Sequence, residues 1–140
     1  MKEPMFKIED LDVGKKIEFK VILSEKMHEN FKNEIKDTSP VHNDNVFAKK
    51  VGFDNKIAYG FNVISHISRF YGNYMPGGSS ICLKQDVKFL RPVYVGDELI
   101  ISGEVVSINK NLKIVNIKNK IVNQKGEICV RGEGVVKIVI

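Results

Sequence analysis

Ile57-Ala58-Tyr59-Gly60-Phe61-Asn62-Val63-Ile64-Ser65-His66-Ile67-Ser68-Arg69-Phe70-Tyr71 holds neither an acid nor a lysine, in a chain that is 28% charged. Its large apolar residues (Ile57, Phe61, Val63, Ile64, Ile67, Phe70 and Tyr71) spread at helical spacing over more than one face. A helix with that pattern is expected to be buried nearly all round. Gly72, Asn73, Pro76, Gly77 and Gly78 then end it. Such a helix needs other elements to cover it, and the remainder of the chain reads mainly as strands.

Upstream, Ile17, Phe19, Val21 and Leu23 alternate within residues 16–24, as in a half-buried strand. Downstream, residues 81–90, 98–108, 112–123 and 127–139 carry strand patterns. The separators 92–97, 109–111 and 124–126 contain turn residues and are short enough for strands adjacent in sequence to pair as an antiparallel meander. One buried helix with about five strands predicts an α+β domain in which the sheet curls around the helix. Gly132 and Gly134 share a face with Ile128, Val130, Val136 and Ile138, as expected where a helix backbone comes close. The apolar end, 135–140, is expected to leave an exposed edge that a second copy covers, so a homodimer is predicted.

Composition narrows the function. At 140 residues and 43% hydrophobic content the chain has the size of one ordinary domain, 1–140. No apolar run approaches the roughly 18 residues of a membrane span, and residues 1–12 lack the apolar centre of a signal peptide, so a cytoplasmic protein without a membrane partner is expected. Cys82 and Cys129 match no metal spacing; free buried thiols and no metal site are expected. The 22 Lys and Arg against 17 Asp and Glu give a net charge of +5 that is scattered along the chain. Nucleic-acid binding is therefore not expected. A modest positive field suits an anionic, phosphate-bearing substrate, and serves equally to keep the surface soluble.

Just before the apolar segment stands Asp37-Thr38-Ser39-Pro40-Val41-His42. Groups that share a helix face are three or four residues apart. Asp37 and His42 are five apart with a proline between, so they can converge only through irregular backbone. Ser39-Pro40 stiffens such a loop, because proline locks its own φ and holds the preceding residue out of the helical region. A carboxylate and an imidazole held against one water can move protons both ways near neutral pH. The same residues also fit a plain turn with a surface histidine. A short helical stretch over 26–36 (Met27, Phe31, Ile35) leads in, and Asp44 is placed to cap a helix running to Val51, with Lys49 and Lys50 at its negative end and Gly52 closing it.

Four stretches, in this order, resemble the MaoC-like (R)-specific enoyl-CoA hydratases: Asp37 to His42; Ala58-Tyr59-Gly60-Phe61; Val87-Lys88-Phe89-Leu90-Arg91-Pro92-Val93-Tyr94-Val95-Gly96-Asp97; and Gly132-Glu133-Gly134-Val135-Val136. That family's motif runs aspartate, any residue, asparagine, proline, aliphatic, histidine, and Ser39 is the one departure within it. Lys36 stands where the family usually has glycine, and Tyr59 where it usually has histidine before the helix-opening glycine. The resemblance implies the hot-dog fold, a helix wrapped by a curved antiparallel sheet.

It also implies the chemistry. Asp37 and His42 would hold a water that adds to C3 of a trans-2-enoyl-CoA while a proton reaches C2, giving an (R)-3-hydroxyacyl-CoA, reversibly. No cofactor is implied, since the CoA thioester is the substrate. Gly60 would offer its free helix N-terminal N–H to the thioester oxygen, Ser68 would orient Asp37, and Ser39 would support the loop. Tyr59 would shape the pocket mouth, and Arg91 would sit near the CoA phosphates. His66 reads as a structural histidine. A hot-dog thioesterase and a non-catalytic acyl-CoA-binding subunit remain as alternatives.

Overall fold

Backbone hydrogen bonding builds five strands: β1 (Lys16–Ile22), β2 (Ser80–Phe89), β3 (Glu98–Asn109), β4 (Ile114–Val122) and β5 (Ile128–Ile138). Among the described residues a 3₁₀ turn (Ile8–Asp10) and four α-helices accompany them: α1 (Glu25–Ile35), α2 (Pro40–Asn43), α3 (Asn45–Lys50) and α4 (Gly60–Asn73). The structure is a computed structural model that describes residues 5–140; the first four residues of the 1–12 segment lie outside it. No helix among the described residues is long and apolar enough to cross a membrane.

The strands form one antiparallel sheet in the order β1-β3-β4-β5-β2. The meander holds for β3, β4 and β5 and fails for β2, which pairs with β5 at the far edge. Residues 90–97 therefore span the sheet instead of closing a hairpin. Three strand spacings are roughly 14 Å, well within the reach of such a link. Its course is set by Leu90 N to Cys129 O, Ala58 N to Val93 O and Gly96 N to Leu23 O, at 2.8, 2.7 and 2.7 Å. A second correction follows: β5, with residues 135–138, is interior, and the free edges belong to β1 and β2.

Helix α4 lies across the sheet with Val63, Ile67, Phe70 and Tyr71 buried in the same core as Leu99, Ile101, Val105, Ile117 and Ile121. Removing a buried ring such as Phe70 costs about 3–5 kcal/mol. Gly103 makes room for that ring: a β-carbon there would run into it. At Gly134 the obstruction would be the Tyr71 hydroxyl and Gln85, and at Gly132 the Asp86 carbonyl oxygen. The glycines of β5 thus admit a side chain and a neighbouring strand, not a helix backbone. Nor is α4 buried all round. Phe61 is 74% exposed, and Ser65, Ser68 and Arg69 lie on the same open side. Cys129 is buried, but Cys82, expected to be buried, is exposed on β2.

Candidate active site

Local rules build the segment that carries the acid and the imidazole. Ser24 caps α1, accepting from Met27 N at 3.1 Å, and Lys36 ends it in the left-handed region at φ 60°. The chain then turns at Asp37, whose Oδ1 accepts from Ser39 N at 2.9 Å. Pro40 opens the one-turn helix α2, where its missing N–H costs nothing. Only residues 37–39 are irregular; His42 itself sits on that helical turn. Asp44 then caps α3, accepting from Val46 N and Phe47 N, and Gly52 closes it at φ 103°.

His42 turns into the molecule. Its Nδ1 lies 2.8 Å from the Ile57 carbonyl oxygen, which can only accept, so Nδ1 carries the proton and the neutral ring keeps its lone pair on Nε2. Hydrogen bonding from Ser39 N and the Ser39 side chain holds the Asp37 carboxyl below the usual carboxylate range. An ionised Asp37 carboxylate and the Nε2 lone pair of the neutral ring are two acceptors able to hold one water.

Gly60 begins α4, so its N–H has no partner within the helix. A β-carbon on it would lie 2.8 Å from the Phe89 ring. Space explains the glycine, since its φ is not positive. Two cavities meet here. One, of about 310 Å³, is lined mainly by apolar groups including Phe53, Ile57, Val63, Phe89, Leu90 and Val130, with Arg91 and Pro92 among them; the other, of about 320 Å³, is bounded by Phe31, Asp37, Tyr59 and Phe61. His42, Gly60 and Phe89 line both. Arg91 is exposed and pairs with Glu127 at 3.2 Å.

The fold thus brings together Asp37, Ser39, His42, Tyr59 and Gly60. It does not bring Ser68 to them. Two helical turns along, Ser68 lines a separate cavity with Ile64, Tyr71 and Gln85, and makes no hydrogen bond to Asp37 within the chain. Tyr59 bounds the second cavity as a buried wall: it is 3% exposed, with ring centroids 4.3 Å from His42, 5.0 Å from His28 and 5.3 Å from Phe31.

Sequence reasoning missed His28 and Asn43. Nε2 of buried His28 donates to the His42 carbonyl oxygen at 2.8 Å. Asn43 donates to Ser39 O at 2.9 Å and to the Tyr59 hydroxyl at 3.0 Å. The one available signal for His28 was its place at helical spacing between Ser24 and Phe31. His66 is buried with Nε2 unpartnered among the described residues, and burial lowers its pKa.

Residues 10–126 match the MaoC like domain family. An (R)-specific enoyl-CoA hydratase of Aeromonas caviae is 36% identical over 102 residues, 73% of this chain and 76% of that one. The solved structure of the (R)-hydratase from A. caviae superposes with a TM-score of 0.88 at 32% identity, covering 93% of this chain and 98% of the other. An unliganded R-hydratase from Pseudomonas aeruginosa gives 0.88 at 30% identity, covering 94% and 84%. With its wrapped helix, its Asp37-to-His42 segment and these matches, the chain belongs to the MaoC-like domain family.

Proposed function

We propose that this protein is a hydro-lyase that adds water across the double bond of a trans-2-enoyl-CoA to give the (R)-3-hydroxyacyl-CoA, and catalyses the reverse dehydration. The observation that carries this reading is the commitment of His42 Nδ1–H to Ile57 O, which leaves Nε2 as an acceptor beside an ionised Asp37. A water donating to both is activated at its oxygen. As that oxygen bonds to C3, one proton passes to the pair, and the same pair returns a proton to C2.

Charge that builds on the thioester oxygen meets the Gly60 N–H at the positive end of α4. The acyl chain occupies the apolar cavity, and Arg91 at its rim supplies positive charge to the CoA phosphates. Water and thioester complete the reaction, so no cofactor enters it.

We extend the proposal to a single cytoplasmic domain that works as a homodimer. Phe61 on α4, and Ile81, Leu83 and Phe89 on the free edge strand β2, are each at least half exposed. A second copy along that edge would cover them and the Ser68 side of α4 together. Sedimentation should give twice the chain mass.

Incubation with crotonyl-CoA tests the reaction. Loss of enoyl absorbance without free thiol is expected, with the (R) product on chiral analysis. Release of CoA-SH would establish a thioesterase instead.

A further inference from the structure

The segment bearing Asp37 and His42 is held unequally at its two ends. At the imidazole end, besides the Asn43 bond to Tyr59, three hydrogen bonds join elements distant in sequence: His42 Nδ1–H to Ile57 O, His28 Nε2–H to His42 O, both at 2.8 Å, and Ile57 N–H to Val41 O at 3.1 Å. At the acid end there is one, from the Tyr59 hydroxyl to the Asp37 carbonyl oxygen. The remaining bond of Asp37, from Ser39 N–H, is local. The ladder of α1 stops at Lys36, so it does not hold Asp37 either.

The same Tyr59 oxygen accepts from Asn43 Nδ2, whose second N–H donates to Ser39 O. One phenol therefore ties the start of the segment to its end. Its ring is immobilised between His28, Phe31 and His42.

We propose that Tyr59 is the positioning residue of the Asp37 and His42 pair: its hydroxyl, acting through the Asp37 backbone and Asn43, sets the distance between carboxylate and imidazole. This rests on the hydratase reading above. A bridging water needs both acceptors within about 2.6–3.2 Å, so a drift of the acid end by 1 Å releases it. A phenol suits the task because it donates once and accepts once on a rigid ring with few rotamers. Both capacities are used here.

Tyr59→Phe keeps the ring and removes the hydroxyl. With crotonyl-CoA, kcat should fall about tenfold or more while KM stays within about twofold. Amide hydrogen exchange over residues 37–43 should quicken, with α4 unchanged. A rise in KM at constant kcat would make Tyr59 a substrate contact and overturn the proposal. So would unchanged exchange, or quicker exchange at full kcat. If the wild type does not hydrate enoyl-CoA, the hydratase reading fails by itself, and the exchange measurement, which needs no substrate, still decides on the clamp. Should Tyr59→Phe not fold, Asn43→Ala leaves the buried ring untouched; a kcat loss of about threefold with quicker exchange is expected, and no change in either overturns the proposal.

Discussion

Two cavities of about 310 Å³ lie against α4, one beside His42 and Gly60, the other beside Ser68 and Tyr71. They share a helix and a size, yet only one is placed to do chemistry. On the Tyr71 side the polar groups facing the cavity are tied to one another: the Tyr71 hydroxyl donates to Gln85 Oε1 at 2.6 Å, Gln85 Nε2 donates to Asn119 Oδ1 at 2.8 Å, and burial pushes the phenol pKa up so that it stays protonated, while Asn119 Nδ2 is buried and unpartnered among the described residues. Beside His42, the ring Nε2, the Asp37 carboxylate and the Gly60 N–H keep unused capacity, because a turn and a helix start point them at space. Equal volume does not make equal function. What differs is which hydrogen-bonding groups the backbone leaves free.

The contrast can be broken most severely at the pair itself. Asp37→Asn and His42→Ala should each lower enoyl-CoA hydration by about 10²- to 10⁴-fold with little change in thermal midpoint; full activity in either variant would remove the pair from the mechanism. Gly60→Ala comes next. The added methyl meets the Phe89 ring, and turnover should drop about tenfold. Combining it with Phe89→Ala should recover much of the loss if the glycine is there for space, and none if it is not.

On the opposite side, Tyr71→Phe should leave kcat within twofold and cost about 1–3 kcal/mol of stability, since Gln85 and Asn119 lose a buried partner. Denaturant titration reads it; a large fall in kcat would erase the distinction between the two cavities.

The smallest effect is a pH dependence of stability. Burial lowers the pKa of His28 and of His66 from 6.5. As pH falls below 6.5 the unfolded chain takes up these protons first, so the stability they contribute is full above that value and declines beneath it. Each histidine contributes at most about 1.4 kcal/mol per pH unit. His66→Asn should flatten the fall in thermal midpoint between pH 7 and 5. Asp37, also held low, contributes in the same sense at lower pH: its part is present at neutral pH and is lost as pH falls through its depressed value.

Much of this was readable one stretch at a time. Alternation over Ile17, Phe19, Val21 and Leu23 announces a strand, and β1 is there. Asp44 announces a cap, and it accepts two backbone N–H groups. Such signals are legible because neighbouring residues decide them. Phe61 misled, since an apolar residue on a helix looks the same in sequence whether it is buried or exposed. Ser68 misled likewise: its spacing from Gly60 fixes a helical face, not what lies opposite.

His28 and Tyr59 lie further from reach. They sit on different elements, and their joint hold on the Asp37 segment exists only once α1 and the start of α4 are packed together.

The amino-acid sequence by itself determined the elements, their order and the acid and imidazole placed before the helix, because periodicity, capping and proline geometry act over a few residues. Tertiary structure alone decided that β2 crosses to pair with β5, that the β5 glycines yield to Tyr71 and a neighbouring strand, and that Tyr59 faces inward to hold Asp37. The physical reason is that a residue's pattern states which face it occupies, whereas its partner is chosen by packing among segments far apart in the chain.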